Sequence, residues 1–143
     1  DTWKSRGLGD VYKRQDKHRY FSQDELRCKC GCARYFFDDK TLKVLNKIRE
    51  SCNFPFVVSS GCRCEQHPVE AKKLKAGKKI GTHGHGKAVD ILCNGEQALK
   101  LLFYAQAHGI TRIGVKQKGR NRFIHLDTCE ESEGFPTQAI WSY

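Results

Sequence analysis

The sequence lacks several features that would assign a protein to a class at once. Its 143 residues contain no apolar run long enough to span a membrane, no internal repeat and no low-complexity tract. The sequence does not start with a basic segment followed by an apolar one, the pattern typical of a secretory signal peptide. We therefore expect a soluble, single-domain protein with no membrane span, made in the cytoplasm without a leader.

Acidic residues are scarce relative to basic ones. Sixteen Asp and Glu against 26 Lys and Arg give a formal net charge of +10 and a pI near 9.3. This charge predicts attraction to polyanions, such as nucleic acid or an anionic cell wall. The densest basic run, residues 72–79, has no interleaved aromatic residues on which bases could stack. A solvated face is favoured for that run, and we predict that the protein binds no nucleic acid.

The first 15 residues show neither a hydrophobic period nor a motif. They resemble translated adaptor or vector sequence, so we predict a non-native or disordered tail over residues 1–15. The functional domain is predicted over residues 16–143.

Local patterns place helices before and between strands, which indicates an α+β fold with a central antiparallel sheet and flanking helices. A capping box at 22–25, two aspartates at 38–39, Pro68 and a mostly apolar segment ended by Gly109 mark the helices. Helices are predicted from 23, from 39, over 66–75 and over 96–105. Strands are predicted over 54–59, 88–92, 110–115 and 122–128.

Two stretches combine residue types that bind divalent metals. His83 lies in a glycine-rich turn, and Asp90 follows seven positions later in an apolar strand pattern. A carboxylate in such a strand is costly unless a charge or a metal pairs with it. His125 lies in a second strand pattern. Two imidazoles and one carboxylate suit zinc with a fourth position open for water, so we predict one Zn²⁺ per chain, held at the sheet.

The eight cysteines include two clusters, one with Cys28, Cys30 and Cys32 and one with Cys62 and Cys64. Their C-x-C spacing is tighter than the C-x-x-C spacing of common structural zinc sites. A disulfide framework is not expected in a chain without a leader. Reduced, partly buried thiols, a second metal site and disulfides formed after export remain open. The candidates for a second metal site or disulfides are Cys28, Cys30, Cys32 and Cys64.

Three segments in order, residues 59–63, 82–90 and 123–127, resemble the zinc D-Ala-D-Ala carboxypeptidase family. The family pattern is Ser-Gly-Tyr-Arg, then Ser-x-His-x-x-Gly-x-Ala-x-Asp, then His-x-Asp. This family shares its fold with the hedgehog signalling domain and includes bacteriophage endolysins. The resemblance covers roughly residues 20 to 143, and the cysteines at 28–32 also look like its small peptidoglycan-peptidase branch.

The resemblance implies roles for individual residues. The metal ligands would be His83, Asp90 and His125. Arg63 matches the family arginine that contacts the substrate near the scissile carbonyl, which gives it both a catalytic and a binding role. The candidates for substrate binding are Arg63, Thr82, His85 and Trp141.

The general base departs from the family pattern. Several members carry Glu or Asp three residues before the last metal ligand, where this sequence has Arg122. Asp127 is the first candidate for the catalytic base, because residues 125 and 127 of a strand face the same side. His85, two residues from His83, is the next candidate. The alternative is that Asp127 braces a ligand histidine through a hydrogen bond.

The resemblance implies a zinc-dependent peptidase that cleaves peptidoglycan stem peptides, at D-Ala-D-Ala or at L-Ala-D-Glu. We expect the protein to be a monomer. An endolysin-like enzyme would act on the bacterial cell wall after holin-type release. The alternative is a non-catalytic, zinc-containing module of the hedgehog type that binds the cell wall or a protein partner.

Overall fold

Helices and strands alternate along the chain in the computed structural model, which describes residues 17–143. The tail predicted over residues 1–15 lies outside the described residues. The helices are α1 (Gln23–Leu26), α2 (Asp39–Cys52), α3 (Pro68–Lys75) and α4 (Gly95–Ala107). The strands are β1 (Val57–Ser60), β2 (Ala88–Leu92), β3 (Arg112–Lys116), β4 (Phe123–Asp127) and β5 (Ala139–Ser142). Short 3-10 turns occupy Thr82–His85 and Glu131–Glu133.

The helices begin where capping side chains can satisfy their first N–H groups. Ser22 and Glu25 form the predicted capping box of α1. The Asp38 carboxylate caps α2. Helix α3 begins at Pro68, two residues later than predicted, because the His67 ring accepts from the Val69 N–H and acts as the N-cap. The four helices predicted from the sequence are thus confirmed.

The five strands form one sheet in the order β1-β2-β4-β3-β5. The pairs β1–β2, β2–β4 and β3–β4 are antiparallel, as predicted. The edge strand β5 was not predicted, and it runs parallel to β3. The prediction of an antiparallel sheet is therefore wrong at this edge: the sheet is mixed, because the chain after β4 crosses back before pairing with β3.

Strand β1 is shorter than predicted. It begins at Val57 rather than at 54 because Pro55 has no N–H to donate to a ladder. Phe54 and Phe56 instead pack their rings together, with centroids 5.1 Å apart, at the edge of the core.

One face of the sheet is covered by helices. Helix α4 packs against β4, and α2 packs against α4. Alternation along β4 directs Ile124 and Leu126 to one face and His125 and Asp127 to the other. Strand β2 is buried on both faces, although a half-buried strand was predicted, because loops cover the face that carries Asp90. The polar residues of the site therefore lie on the sheet face away from the helices.

Among the described residues, no helix combines the length and apolar character needed to cross a membrane.

Candidate metal centre

The three residues predicted to bind a metal lie together; we call them the His–Asp–His centre (His83, Asp90 and His125). One ligand atom of each lies within 4.8 Å of the others. Asp90 and His125 are direct partners across β2 and β4, with 2.9 Å between Asp90 Oδ1 and His125 Nδ1. His83 Nε2 lies 3.3 Å from the same carboxylate oxygen. All three side chains are buried, and their donor atoms converge on one point.

The 3-10 turn at Thr82–His85 holds His83 in this position. Its Nδ1 donates to the carbonyl oxygen of Gly61 over 2.7 Å, which leaves Nε2 directed at Asp90. The turn ends at Gly86 with φ at +68°, and a Cβ there would collide with the carbonyl oxygen of Phe36. In metal-binding histidines, a hydrogen bond of this kind, made by the ring nitrogen that does not face the metal, orients the ring.

His125 is fixed from behind by a chain of buried charges. Its Nε2 donates to Asp127 Oδ2 over 2.7 Å. The other oxygen of Asp127 accepts from Arg112 Nε at 2.6 Å and from the Cys129 N–H at 3.1 Å. Arg112 also donates to the carbonyl oxygen of Pro136. Asp127 thus lies on the side of His125 remote from Asp90, fully engaged by donors.

Arg112 was missed in the sequence. A signal existed: a basic residue interrupts the apolar pattern of 110–115, and such a residue needs an acid partner if the strand is buried. The Gly61 carbonyl, by contrast, carries no signal in the sequence, because a backbone acceptor can belong to any residue type.

The electrostatics of the centre favour an ionised Asp90 and a neutral His83, the states in which these two residues can bind a metal. Burial alone would raise the pKa of Asp90, but hydrogen bonds from His125 and His83 hold it well below its usual range. Burial lowers the pKa of His83 and so favours the neutral imidazole. Burial also acts to lower the pKa of His125, but the Asp127 and Asp90 carboxylates outweigh it and raise that pKa. A carboxylate flanked by two oriented imidazoles fits a divalent cation, so these residues could hold a metal ion.

Three further predicted residues border the centre. Arg63 Nη2 lies 3.6 Å from Asp90 Oδ2, and its Nε donates to Ser60 Oγ over 3.0 Å. Thr82 Oγ1 lies 3.4 Å from His125 Nε2. The Trp141 ring packs beside the His125 ring, with centroids 5.2 Å apart.

With this geometry established, comparison with known proteins assigns the family. The family model for Peptidase M15 matches residues 19–127, about three quarters of the chain. This chain belongs to the peptidase M15 family. The resemblance stated from the sequence is confirmed, and membership implies a peptidase that acts on a peptide substrate. No curated protein matches the chain.

In this M15 peptidase, His85 has different surroundings from the other predicted site residues. Its Nδ1 lies 3.4 Å from Glu133 Oε2, and its ring packs edge-on against Phe135. Glu133 also pairs with Lys87 at 3.1 Å. These contacts tie the turn that carries His83 to the 3-10 turn at Glu131–Glu133.

A pocket of about 250 Å³ opens beside Arg63; we call it the arginine pocket (Arg34, Phe36, Arg63, Cys64, Glu65, Ile80 and Gly84). A larger groove of about 530 Å³ lies by the end of α4 and β5, and no titratable side chain lines it. The arginine pocket is the better candidate for a ligand-binding site, although it is smaller, because it adjoins the His–Asp–His centre and carries two guanidinium groups.

The structure also brings together a second set of candidate ligands, the cysteine cluster (Cys28, Cys30, Cys32 and Cys64). The Cys64 sulfur lies 3.4 Å from that of Cys30 and 3.6 Å from that of Cys32. All eight cysteines are free thiols, so the structure contains none of the disulfides left open by the sequence.

Proposed function

We propose that this M15 peptidase uses zinc to hydrolyse a peptide bond in the peptide stems of peptidoglycan. The observation that carries the proposal is the His–Asp–His centre, in which each imidazole is held by a hydrogen bond from its second nitrogen. A set of buried, oriented donors around one point is what a catalytic metal site needs.

Zinc is the ion that two imidazoles and one carboxylate suit best, because three protein ligands leave a position for water or substrate. When bound, it would supply a Lewis acid that polarises a carbonyl group and lowers the pKa of water. His83, Asp90 and His125 would hold it, with His83 Nε2 and His125 Nδ1 as the nitrogen donors, since these are the nitrogens that face Asp90.

Arg63 would bind the substrate. Its guanidinium borders both Asp90 and the arginine pocket, and its hydrogen bond to Ser60 fixes the side chain. A fixed guanidinium stabilises the negative charge that develops on a carbonyl oxygen under attack. Trp141 and Thr82 both border His125 and would contact the peptide there.

We assign Asp127 a positioning role. Of the two roles left open by the sequence, that of a brace is favoured because its oxygens are occupied by donors from His125, Arg112 and Cys129.

The choice of peptidoglycan rests on the family resemblance and on charge. A net charge of +10 favours an anionic polymer, and the two arginines of the arginine pocket favour an anionic peptide. An endolysin that reaches the wall by holin-type release and cuts L-Ala-D-Glu fits this charge. Lysis assays on permeabilised cells test it: release of D-alanine from pentapeptide without clearing of the cells would assign a D-Ala-D-Ala carboxypeptidase instead.

Mass spectrometry of digested muropeptides tests the hydrolase itself. We expect the zinc-loaded wild type to release new stem-peptide fragments and the His83→Ala variant to release none. His108→Ala is the matched control, because His108 is bound to Ser51 and belongs to neither candidate metal site. Equal product from wild type and His83→Ala would contradict the proposal.

A second candidate function is a non-catalytic zinc module that binds the wall. The observation that favours it is Arg122, an exposed basic residue where several family members have an acid. Zinc at the His–Asp–His centre without turnover, together with intact capture on isolated cell walls, would support this module over the hydrolase.

A further inference from the structure

We propose that the cysteine cluster is a second metal site, in which four thiolates bind one structural Zn²⁺. The proposal is independent of peptidoglycan hydrolysis, because none of these residues belongs to the His–Asp–His centre. Its consequence is that this ion would hold in place the loop that carries Arg63.

The spacing of the sulfur atoms fits a tetrahedral zinc site. Four sulfurs about 2.3 Å from a central zinc lie about 3.8 Å from one another. The Cys30–Cys64 and Cys32–Cys64 sulfur distances are 3.4 and 3.6 Å, and all four sulfurs lie within 4.8 Å of one another. A disulfide would need about 2.05 Å. The sulfurs are therefore spaced as ligands around a common centre rather than as bonded pairs.

Backbone donors point at two of the sulfurs. The Cys64 N–H donates to Cys28 Sγ at 3.3 Å, and the Arg34 N–H donates to Cys32 Sγ at 3.4 Å. Such N–H···S bonds stabilise a thiolate and orient it as a ligand. Thiols packed only as apolar side chains have no need of these donors.

The loop that presents three of the cysteines has an unusual backbone. Gly31 has φ at +105°, and Ala33 has φ at +58°. Alanine is strained in this left-handed region, and the other described non-glycine residues with positive φ are both asparagines, which tolerate it. The Cys28 N–H donates to the Arg34 carbonyl and closes the loop. A metal bond to the loop would stabilise it in this left-handed conformation, which is unfavourable for alanine.

Charge around the cluster suits a bound tetrathiolate. Zinc with four thiolates carries a net charge of −2, which nearby cations must offset. Basic residues flank the ligands in the sequence, at Arg27, Lys29, Arg34 and Arg63. Arg34 and Arg63 also line the arginine pocket together with the ligand Cys64.

The ion would join two parts of the chain that shape the arginine pocket. Cys64 directly follows Arg63, and the Arg63 N–H donates to the His83 carbonyl over 3.1 Å. The Cys62 N–H donates to the Leu26 carbonyl, just before the cysteine loop. A tetrathiolate site would therefore fix the β1–α3 loop against residues 28–34.

Metal content of the purified full chain tests the proposal. After reduction, zinc loading and removal of excess metal, we expect two zinc ions per wild-type chain and one in either His83→Ala or Cys32→Ser. Cys93→Ala is the matched control, because Cys93 is a buried thiol outside the cluster, and it should retain two ions. Two ions in Cys32→Ser would overturn the proposal.

Cobalt substitution and a thiol reagent cover the case in which Cys32→Ser fails to fold. Cobalt-loaded His83→Ala should show thiolate-to-cobalt charge-transfer bands. In a separate sample of zinc-loaded His83→Ala, an organomercurial should release the single zinc ion. Absence of these bands, or a mass lower by two hydrogens per bond that reveals disulfides among the four cysteines, would overturn the proposal. Because the His–Asp–His centre has no thiolate ligand, these signals are independent of whether the enzyme is active.

Discussion

At the scale of single residues, Asp127 shows how a buried charge can be fully satisfied. It is 1% exposed, and its two oxygens accept from His125, Arg112 and the Cys129 N–H. Removing one member of such a group leaves the others without partners in a region that water does not reach. Its contribution should therefore be measured with a substitution that keeps the shape of the side chain.

Asp127→Asn is expected to weaken zinc binding at the His–Asp–His centre by about 10- to 100-fold, because His125 loses a charged acceptor that orients its ring. Competition with a chromophoric chelator measures this affinity. Glu131→Gln, an exposed acid a few residues later, is the control and should bind zinc as the wild type does. An Asp127→Asn variant with unchanged zinc affinity but no peptidase turnover would instead make Asp127 the proton acceptor.

At the scale of elements, the edge strand β5 completes the site. Trp141 pairs with Gly114 of β3, and Gly114 in turn pairs with His125 of β4, so the three residues lie side by side. The indole ring of Trp141 packs over Gly114, because glycine has no side chain to occupy that space. The parallel β3–β5 pair thereby brings a large aromatic side chain next to His125, a candidate metal ligand.

Gly114→Ala is expected to lower the free energy of unfolding by about 1–3 kcal/mol, since a Cβ would collide with the Trp141 and Tyr143 rings. Urea unfolding measures the loss. Fluorescence in a Trp3→Phe background, which leaves Trp141 as the one tryptophan of the chain, should report its displacement from His125. Lys116→Ala in the same strand is the control. Unchanged stability and fluorescence in Gly114→Ala would contradict this packing.

At the scale of the whole molecule, four buried thiols lie outside the cysteine cluster, at Cys52, Cys62, Cys93 and Cys129. Burial raises the pKa of Cys52 and of Cys93 to about 11 and that of Cys129 to about 12, from about 9 in an exposed chain. At a pH between the thiol pKa of the unfolded chain and that of the folded protein, the folded protein keeps protons that the unfolded chain has released. The free energy of unfolding is thus unaffected below about pH 9 and falls as the pH rises towards the folded-state pKa values.

Urea unfolding under reducing conditions, repeated from about pH 7.5 to about pH 10.5, should show this decline beginning near pH 9. Cys129→Ala removes the thiol with the largest shift among the three and should lose less stability over the same interval. A free energy of unfolding that stays constant or rises up to about pH 10.5 would contradict the assignment of these buried thiols.

The sequence by itself determined the local features of this protein. Caps at Ser22 and Asp38 define helices because a helix terminus needs a nearby acceptor, and alternation reveals β2 and β4. The members of the His–Asp–His centre could be predicted as candidate ligands because histidine and aspartate in buried, ordered motifs have few other uses. The same ordered motifs carried the family resemblance, which the match over residues 19–127 confirms.

Only the tertiary structure decided which distant groups meet. Cys64 reaches Cys28 across 36 positions, Asp127 pairs with Arg112 of another strand, and β5 adds to β3 in parallel. No local propensity encodes these contacts. Each depends on the path of the chain through a loop and on which residues of opposite charge are buried next to each other. Local chemistry therefore fixed the ligands of the candidate centre, and long-range packing fixed the residues that hold them in place.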